Sequence, residues 1–186
     1  MYGESAGPAG PVLVTGATGN VGREVVRALQ ARGIAVRAGV AKVERAREAT
    51  AGTHDLVRLD FTDPATWPAA LDRCGAVFLM RPPAISRMQS TLVPFLDAAR
   101  SGGADQVVFL SVAGAGENRI VPHHAVEVAL QESVAPFTVS AWPQRRPTWS
   151  TAWTAAWVQM PQKNQGRRDR GRWHCPRGKS YSLRCP

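Results

Sequence analysis

The sequence predicts an α/β fold with a doubly wound, mostly parallel sheet, and three observations carry that expectation. The apolar run Val12-Leu13-Val14 leads directly into the glycine-rich stretch Thr15-Gly16-Ala17-Thr18-Gly19-Asn20-Val21-Gly22, after which apolar residues recur at helical spacing. Further short apolar runs alternate with helix-like segments, as parallel strands joined by crossover helices require. One of them, Ala76-Val77-Phe78-Leu79-Met80, is apolar at every position, which suits a strand covered on both faces.

The glycine stretch reads as strand, tight turn and helix, the arrangement that a dinucleotide phosphate needs. Gly16 lets the chain leave the strand sharply, Gly19 lets the backbone approach a pyrophosphate, and Gly22 lets the new helix pack closely. A ligand's negative charge would meet unpaired N–H groups and the positive end of the helix dipole.

The remaining elements follow in order. Val21, Val25, Ala28 and Leu29 fall on one helix face, and Gly33 stands where a helix C′ residue belongs. Residues 34–40 read as a second strand, 43–49 as a charged surface helix and 56–59 as a third strand ending at Asp60-Phe61. Thr62-Asp63-Pro64 offers a turn and a cap for a helix reaching about Cys74. The fourth strand, 76–80, is stopped by Arg81-Pro82-Pro83, and a helix from about Gln89 to Ser101 is closed by Gly102-Gly103. A fifth strand spans 106–112, and a helix spans 122–132 with Val126, Ala129 and Leu130 facing inward. Pro136-Phe137-Thr138 starts a sixth strand whose pattern then fails, so the sheet is expected to be truncated after about five strands.

Composition divides the chain in two. Of the 186 residues, 44% are hydrophobic and the net charge is +9. Residues 139–186 hold ten Lys and Arg against one acid, while the first 138 residues hold thirteen of each sign. The stretch also carries Trp142, Trp149, Trp153, Trp157 and Trp173, and shows no sustained period of 2 or 3.6. The division expected is a flexible N-terminus over 1–10, a folded domain over 11–138 and an irregular basic tail over 139–186. No apolar run reaches about 18 residues, so no membrane span is expected. Cys74, Cys175 and Cys185 are too scattered for a disulfide framework, which suggests a reducing cytoplasm.

With these motifs placed, residues 11–138 resemble the NmrA-like branch of the atypical short-chain dehydrogenase/reductases. The resemblance rests on Val14 to Gly22, on the Val-Phe-Leu-Ser strand within 107–112, and on Pro122-His123-His124-Ala125-Val126-Glu127 as its His-x-x-x-Glu region. It implies a Rossmann-like, NAD(P)-binding domain. Gly16, Thr18, Gly19, Asn20, Val21 and Gly22 would surround the pyrophosphate, Asp60 and Phe61 would lie beside the adenine, and Leu79, Arg81 and Pro82 beside the ribose and nicotinamide. Alternatives stand beside these roles: Asp60 as a turn cap, Phe61 as plain core.

The second strand ends Arg37-Ala38-Gly39-Val40-Ala41-Lys42, and no acid follows until Glu44. An acid there would bind the ribose hydroxyl of NAD, so its lack favours NADP(H), with Lys42 or Arg37 supplying the charge for the 2′-phosphate. Relatives usually carry an arginine where Ala41 stands.

Members of the wider group that move hydride use a tyrosine and a lysine four positions on. Here the tyrosines are Tyr2 and Tyr181, and the corresponding place holds His123 or His124 and Glu127. Either histidine would serve as a proton donor near neutral pH, or both would sit in a solvated first helical turn, with Glu127 as a surface charge. Ser111, at the carboxyl end of its strand, would bond a ligand or close the strand. No base stands ready to make it a nucleophile, and His174-Cys175 with Cys185 falls short of a metal site.

The implied function is a dinucleotide-binding protein, either an NADPH-dependent reductase of a small carbonyl or quinone-like substrate, a non-enzymatic NADP sensor acting through a protein partner, or an inactive remnant. Arg167 to Arg172 with Trp173 would suit a nucleic-acid arm. The composition beyond about Val139 fits GC-rich DNA read out of frame better. On that reading an uncovered sheet edge and weak stability are expected.

Overall fold

The computed structural model describes residues 8–49, 55–112, 114–133 and 137–142. Its elements, in chain order, are β1 (Val12–Thr15), α1 (Asn20–Gln30), β2 (Val36–Val40), α2 (Val43–Ala49) and β3 (Asp55–Arg58), followed by a 3-10 turn (Pro64–Thr66) running into α3 (Trp67–Leu71). After these come β4 (Ala76–Met80), α4 (Met88–Ser101), β5 (Gln106–Val112), α5 (His123–Glu132) and β6 (Phe137–Trp142).

The six strands form one parallel sheet in the order β3-β2-β1-β4-β5-β6. The order reverses between β1 and β4. Crossovers there leave in opposite directions, so their loops part and open a crevice beyond the carboxyl ends of the strands.

The expected halt after about five strands is corrected by β6, which pairs with β5 from Val107↔Phe137 to Val112↔Trp142. Phe137 and Val139 alternate onto the core, which is the strand period continued across the change in composition. The expected open edge beside β5 is therefore covered, while residues 143–186 and 1–7 lie outside the described residues.

Helix ends follow their glycines. Gly33 has φ +70; its N–H bonds to Gln30 O at 2.9 Å and the next N–H, of Ile34, reaches back to Leu29 O at 3.1 Å. This is a Schellman closure, and a side chain at that φ would be strained. Asp63 caps the 3-10 turn by accepting from the Ala65 N–H at 3.2 Å, with Pro64 following it. Helix α3 ends at Leu71 rather than near Cys74, because Asp72 leaves helical geometry with ψ 120 and Arg73 has φ 53.

The main core lies on the sheet face covered by α3, α4 and α5. Leu13, Val77, Leu79, Val107 and Phe109 point into it from the strands, meeting Leu92, Phe95, Leu96, Val126 and Leu130 from the helices. Phe95 takes two rings edge-on, Phe61 at 4.9 Å and Trp67 at 5.6 Å between centroids. Such pairs add about 0.5–1.5 kcal/mol each beyond area burial. Helix α1 is anchored through Gly22, Val25, Val26 and Leu29, so its buried face is rotated from the expected Val21-Val25-Ala28-Leu29 stripe.

Candidate functional site

Around the crevice, the strand ends hold the glycine turn in place. Thr15, fully buried at the end of β1, accepts from the Met80 N–H at 2.8 Å and lies 3.2 Å from the Met80 carbonyl oxygen. The last residues of β1 and β4 are thereby locked side by side, with Gly16 on one strand end and Arg81 on the other.

Gly16 turns the chain with φ +63, and the Gly19 N–H returns to Gly16 O at 2.9 Å. A Cβ at Gly16 would come within 2.5 Å of Met80 Cε, so the methionine side chain lies against the turn. A Cβ at Gly22 would stand 2.1 Å from Gly16 O, which shows that this glycine lets α1 pack on the turn itself. Gly19 is the N-cap of α1; the cap has no side-chain hydrogen bond, and the first turn has no acid. The leading N–H groups of a helix have no acceptor within it, so this uncapped end suits a phosphate by geometry and by dipole. Thr18 is exposed, and Asn20 accepts from Arg23 at 3.0 Å.

Arg37 is not available to a second phosphate. Its Nε donates to Asp55 at 2.7 Å and its NH1 to Asp72 O at 2.6 Å, at the amino end of β2. Lys42 is exposed just past the carboxyl end of that strand.

Asp60 follows β3, and its Oδ1 accepts from the Thr62 hydroxyl at 2.6 Å and the Thr62 N–H at 2.8 Å. These two bonds, with Arg58 nearby, hold its carboxyl below the ordinary 3.8. Its carbonyl accepts from Trp67 Nε1 at 2.9 Å, fixing the loop to α3. The Phe61 ring is buried against Phe95, and Leu79 is fully buried in β4, so both side chains belong to the core. Arg81 donates through NH1 to Pro83 O and Ile85 O, while Pro82 O accepts from the Ile85 N–H; both residues are half-buried.

The β5–α5 corner corrects two alternatives from the sequence. His123 is 8% exposed and Glu127 2%, so neither is a solvated surface group. With Val126 and Leu130 they form the buried face of α5. The Ser111 hydroxyl donates to Glu127 Oε1, and a Cβ at Gly116 would stand 3.0 Å from Oε2. Burial pushes the Glu127 carboxyl above the ordinary 4.5, against the opposing pull of Ser111 and His124. Burial and the Arg81 charge push His123 below 6.5. His124 is half-buried with Nδ1 3.0 Å from Ala115 O; a carbonyl only accepts, so Nδ1 carries the proton.

Met80 is a residue that the sequence alone does not single out, and Glu127 is one that it names but leaves as a surface charge. Met80 was one of five apolar strand residues, and only the β1–β4 adjacency sets it beside Gly16. Glu127 carried a signal, since it lies four residues from His123 and three from Leu130 on one helix face.

Known proteins share this architecture. A family model described as NAD(P)H-binding matches residues 16–139. Over 131 residues the chain is 33% identical to the Prestalk A differentiation protein A of Dictyostelium discoideum, a match covering 69% of this chain and 42% of that protein. It is 35% identical over 106 residues to an NAD(P)H azoreductase of Xenophilus azovorans, covering 56% and 36%. The chain thus spans less than half the length of these curated relatives. Among solved structures, a Citrobacter sp. triphenylmethane reductase complexed with NADP(H) superposes with a TM-score of 0.61 at 24% identity, covering 69% of this chain and 48% of that one. An Escherichia coli NADPH-dependent quinone oxidoreductase complexed with NADPH gives a TM-score of 0.61 at 21% identity, covering 69% and 47%. These two likenesses establish the fold. Among the described residues no helix is long and apolar enough to cross a membrane.

Proposed function

This chain belongs to the NAD(P)H-binding family, and from that footing we propose that it binds NADP(H) at the β1–β4 crevice and reduces a small carbonyl or quinone-like substrate in the cytoplasm. The observation that carries the reading is the glycine turn leading into an uncapped helix N-terminus where the strand order reverses.

In this reading the backbone from Gly16 to Gly22, with Thr18, Asn20 and Val21, holds the pyrophosphate. Asp60 and Phe61 border the adenine, Phe61 through its backbone because its ring is in the core. Lys42 takes the 2′-phosphate; Arg37 is committed to Asp55, and no acid stands between Arg37 and Glu44 to bind a ribose hydroxyl instead. Arg81, Pro82 and Ser111 border the nicotinamide side, with Leu79 beneath them. When bound, the dinucleotide supplies a hydride. The names of the azoreductase, triphenylmethane reductase and quinone oxidoreductase support a reductase acting on a polar, conjugated acceptor.

A second reading is a non-enzymatic NADP sensor acting through a protein partner. It is favoured by the tyrosines, Tyr2 and Tyr181, which stand far in sequence from α5, where His123 and Glu127 occupy the helix.

Calorimetric titration of the full chain with NADPH and NADH tests the first step, and NADPH oxidation with quinones and aldehydes tests the second. Tighter binding of NADPH with turnover is the expected result. Binding without turnover favours the sensor, and absence of binding to either dinucleotide overturns both in favour of an inactive remnant.

A further inference from the structure

Among the described residues, three buried side-chain polar atoms have no hydrogen-bond partner: Arg81 Nε, His123 Nδ1 and Glu127 Oε2. They belong to one corner of the fold. Met80 lies opposite Leu110 across β4 and β5, so Arg81 and Ser111 are the next residues at the ends of adjacent strands. His123 and Glu127 are one helical turn apart on the buried face of α5, and Glu127 is tied to Ser111. An unmet buried polar group costs about 1–3 kcal/mol, and folded proteins leave few of them. Three in one corner point to a ligand.

We propose that Arg81, His123 and Glu127 form a subsite for the acceptor oxygen of the molecule to be reduced, and that Glu127 Oε2 is the group that protonates that oxygen. The inference rests on the dinucleotide reading above and adds the polarity of the second substrate and the identity of its acid.

The donor inventory sets the ligand class. Arg81 Nε–H only donates. Glu127 Oε1 accepts from Ser111, burial raises the pKa of the carboxyl, and Oε2 has no protein partner; in the proposed subsite the proton sits on Oε2, as an O–H donor to the ligand. His123 is held neutral by burial and by Arg81, so it is the poorer acid of the helix pair. Two donors lacking acceptors call for a carbonyl or quinone oxygen; an ammonium group or a hydrocarbon would leave both unmet. Gly116 lies close against Oε2, and a Cβ there would stand 3.0 Å away, so any side chain at this position would crowd the carboxyl.

The proton step balances with a reduced nicotinamide as the reductant. As a hydride reaches an aldehyde's carbonyl carbon, or a ring carbon conjugated with a quinone's carbonyl, an electron pair moves onto the carbonyl oxygen. The O–H bond of Glu127 breaks while one forms on the substrate. The Glu127 carboxylate that remains accepts from Ser111, and water returns its proton after the alcohol leaves.

The test compares the full-length wild type with Glu127→Gln, using NADPH, 1,4-benzoquinone and benzaldehyde. The glutamine keeps the shape and an N–H donor but is no acid. Infrared spectra at pH 7 should show a protonated carboxyl band in the wild type that the variant lacks. NADPH affinity and KM should stay close to wild type, while kcat falls about 100-fold or more, the scale of general acid catalysis. Gly116→Val, which crowds Oε2, should raise KM. An ionised Glu127 at pH 7, an unchanged kcat in the variant, or a wild type that binds NADPH but reduces neither probe overturns the subsite. Failure of the wild type to bind NADPH overturns the dinucleotide reading itself, and the first titration reports that separately.

Discussion

Ser111 on β5 donates its hydroxyl to Glu127 on α5, sixteen residues further along, and both are closed to solvent at 1% and 2% exposure. A strand end and a helix are thus joined through a buried carboxyl that only Ser111 contacts as a hydrogen-bond partner among the described residues.

That carboxyl gives stability a pH dependence with a definite sign. Its native pKa is raised above 4.5 by burial, so the native state holds the proton more tightly than the unfolded chain. Its contribution is complete below the ordinary value and is lost as pH rises through the raised native one. His123 works oppositely, since its lowered pKa costs stability as pH falls below 6.5. Glu127→Gln removes the first effect alone. Urea midpoints from pH 5 to 9 should therefore fall less with rising pH in the variant than in the wild type; parallel curves would refute a buried, titrating Glu127.

The lock between β1 and β4 has its own cost when opened. Thr15→Val keeps the branched shape but removes the oxygen that accepts from the Met80 N–H at 2.8 Å. An amide left unmet in the interior costs about 1–3 kcal/mol. Urea unfolding should show a loss of that size, with NADPH affinity falling too because the turn at Gly16 follows directly. A midpoint equal to wild type would mean that the amide finds another acceptor.

Most of this architecture was legible in the sequence because its signals are local. Parallel strands buried on both faces are unbroken apolar runs, as at 76–80, and Gly16 and Gly33 mark positive φ that other residues avoid. What escaped depends on partners distant in the chain. Glu127 reads as a surface charge until Ser111 is set across from it, and Met80 reads as filler until β4 lies beside β1. Sequence alone cuts the sixth strand short because Phe137 and Val139 give only two alternations before Pro143 and a basic, tryptophan-rich composition. Pairing with β5, rather than local preference, carries it to Trp142.

The uncapped start of α1 allows a prediction in which stability and binding move in opposite directions. Asn20 is the first residue of the helix, and no acid stands in that turn. Asn20→Asp places a negative charge against the positive end of the helix dipole, worth about 0.3–1 kcal/mol of added stability. On the proposed reading, the same charge would repel a pyrophosphate bound at those N–H groups. Thermal unfolding without ligand should shift upward while NADPH affinity drops about tenfold or more, as expected for a like charge placed within an anion site. An affinity that is unchanged would put the phosphates elsewhere.

Lys42 decides between the two dinucleotides if the 2′-phosphate lies past the end of β2. It is exposed there, whereas Arg37 is held by Asp55 at the opposite end of the strand. A lysine acts on a phosphate as a point charge without an arginine's planar fork, so the preference it confers should be moderate and sensitive to salt. Lys42→Ala should weaken NADPH about tenfold, equivalent to about 1.4 kcal/mol, and leave NADH nearly unchanged. Ala41→Arg supplies the fork next to it and should strengthen NADPH while leaving NADH alone. If Lys42→Ala weakens both dinucleotides equally, the lysine meets a group common to both, and the preference for NADP(H) loses its structural basis.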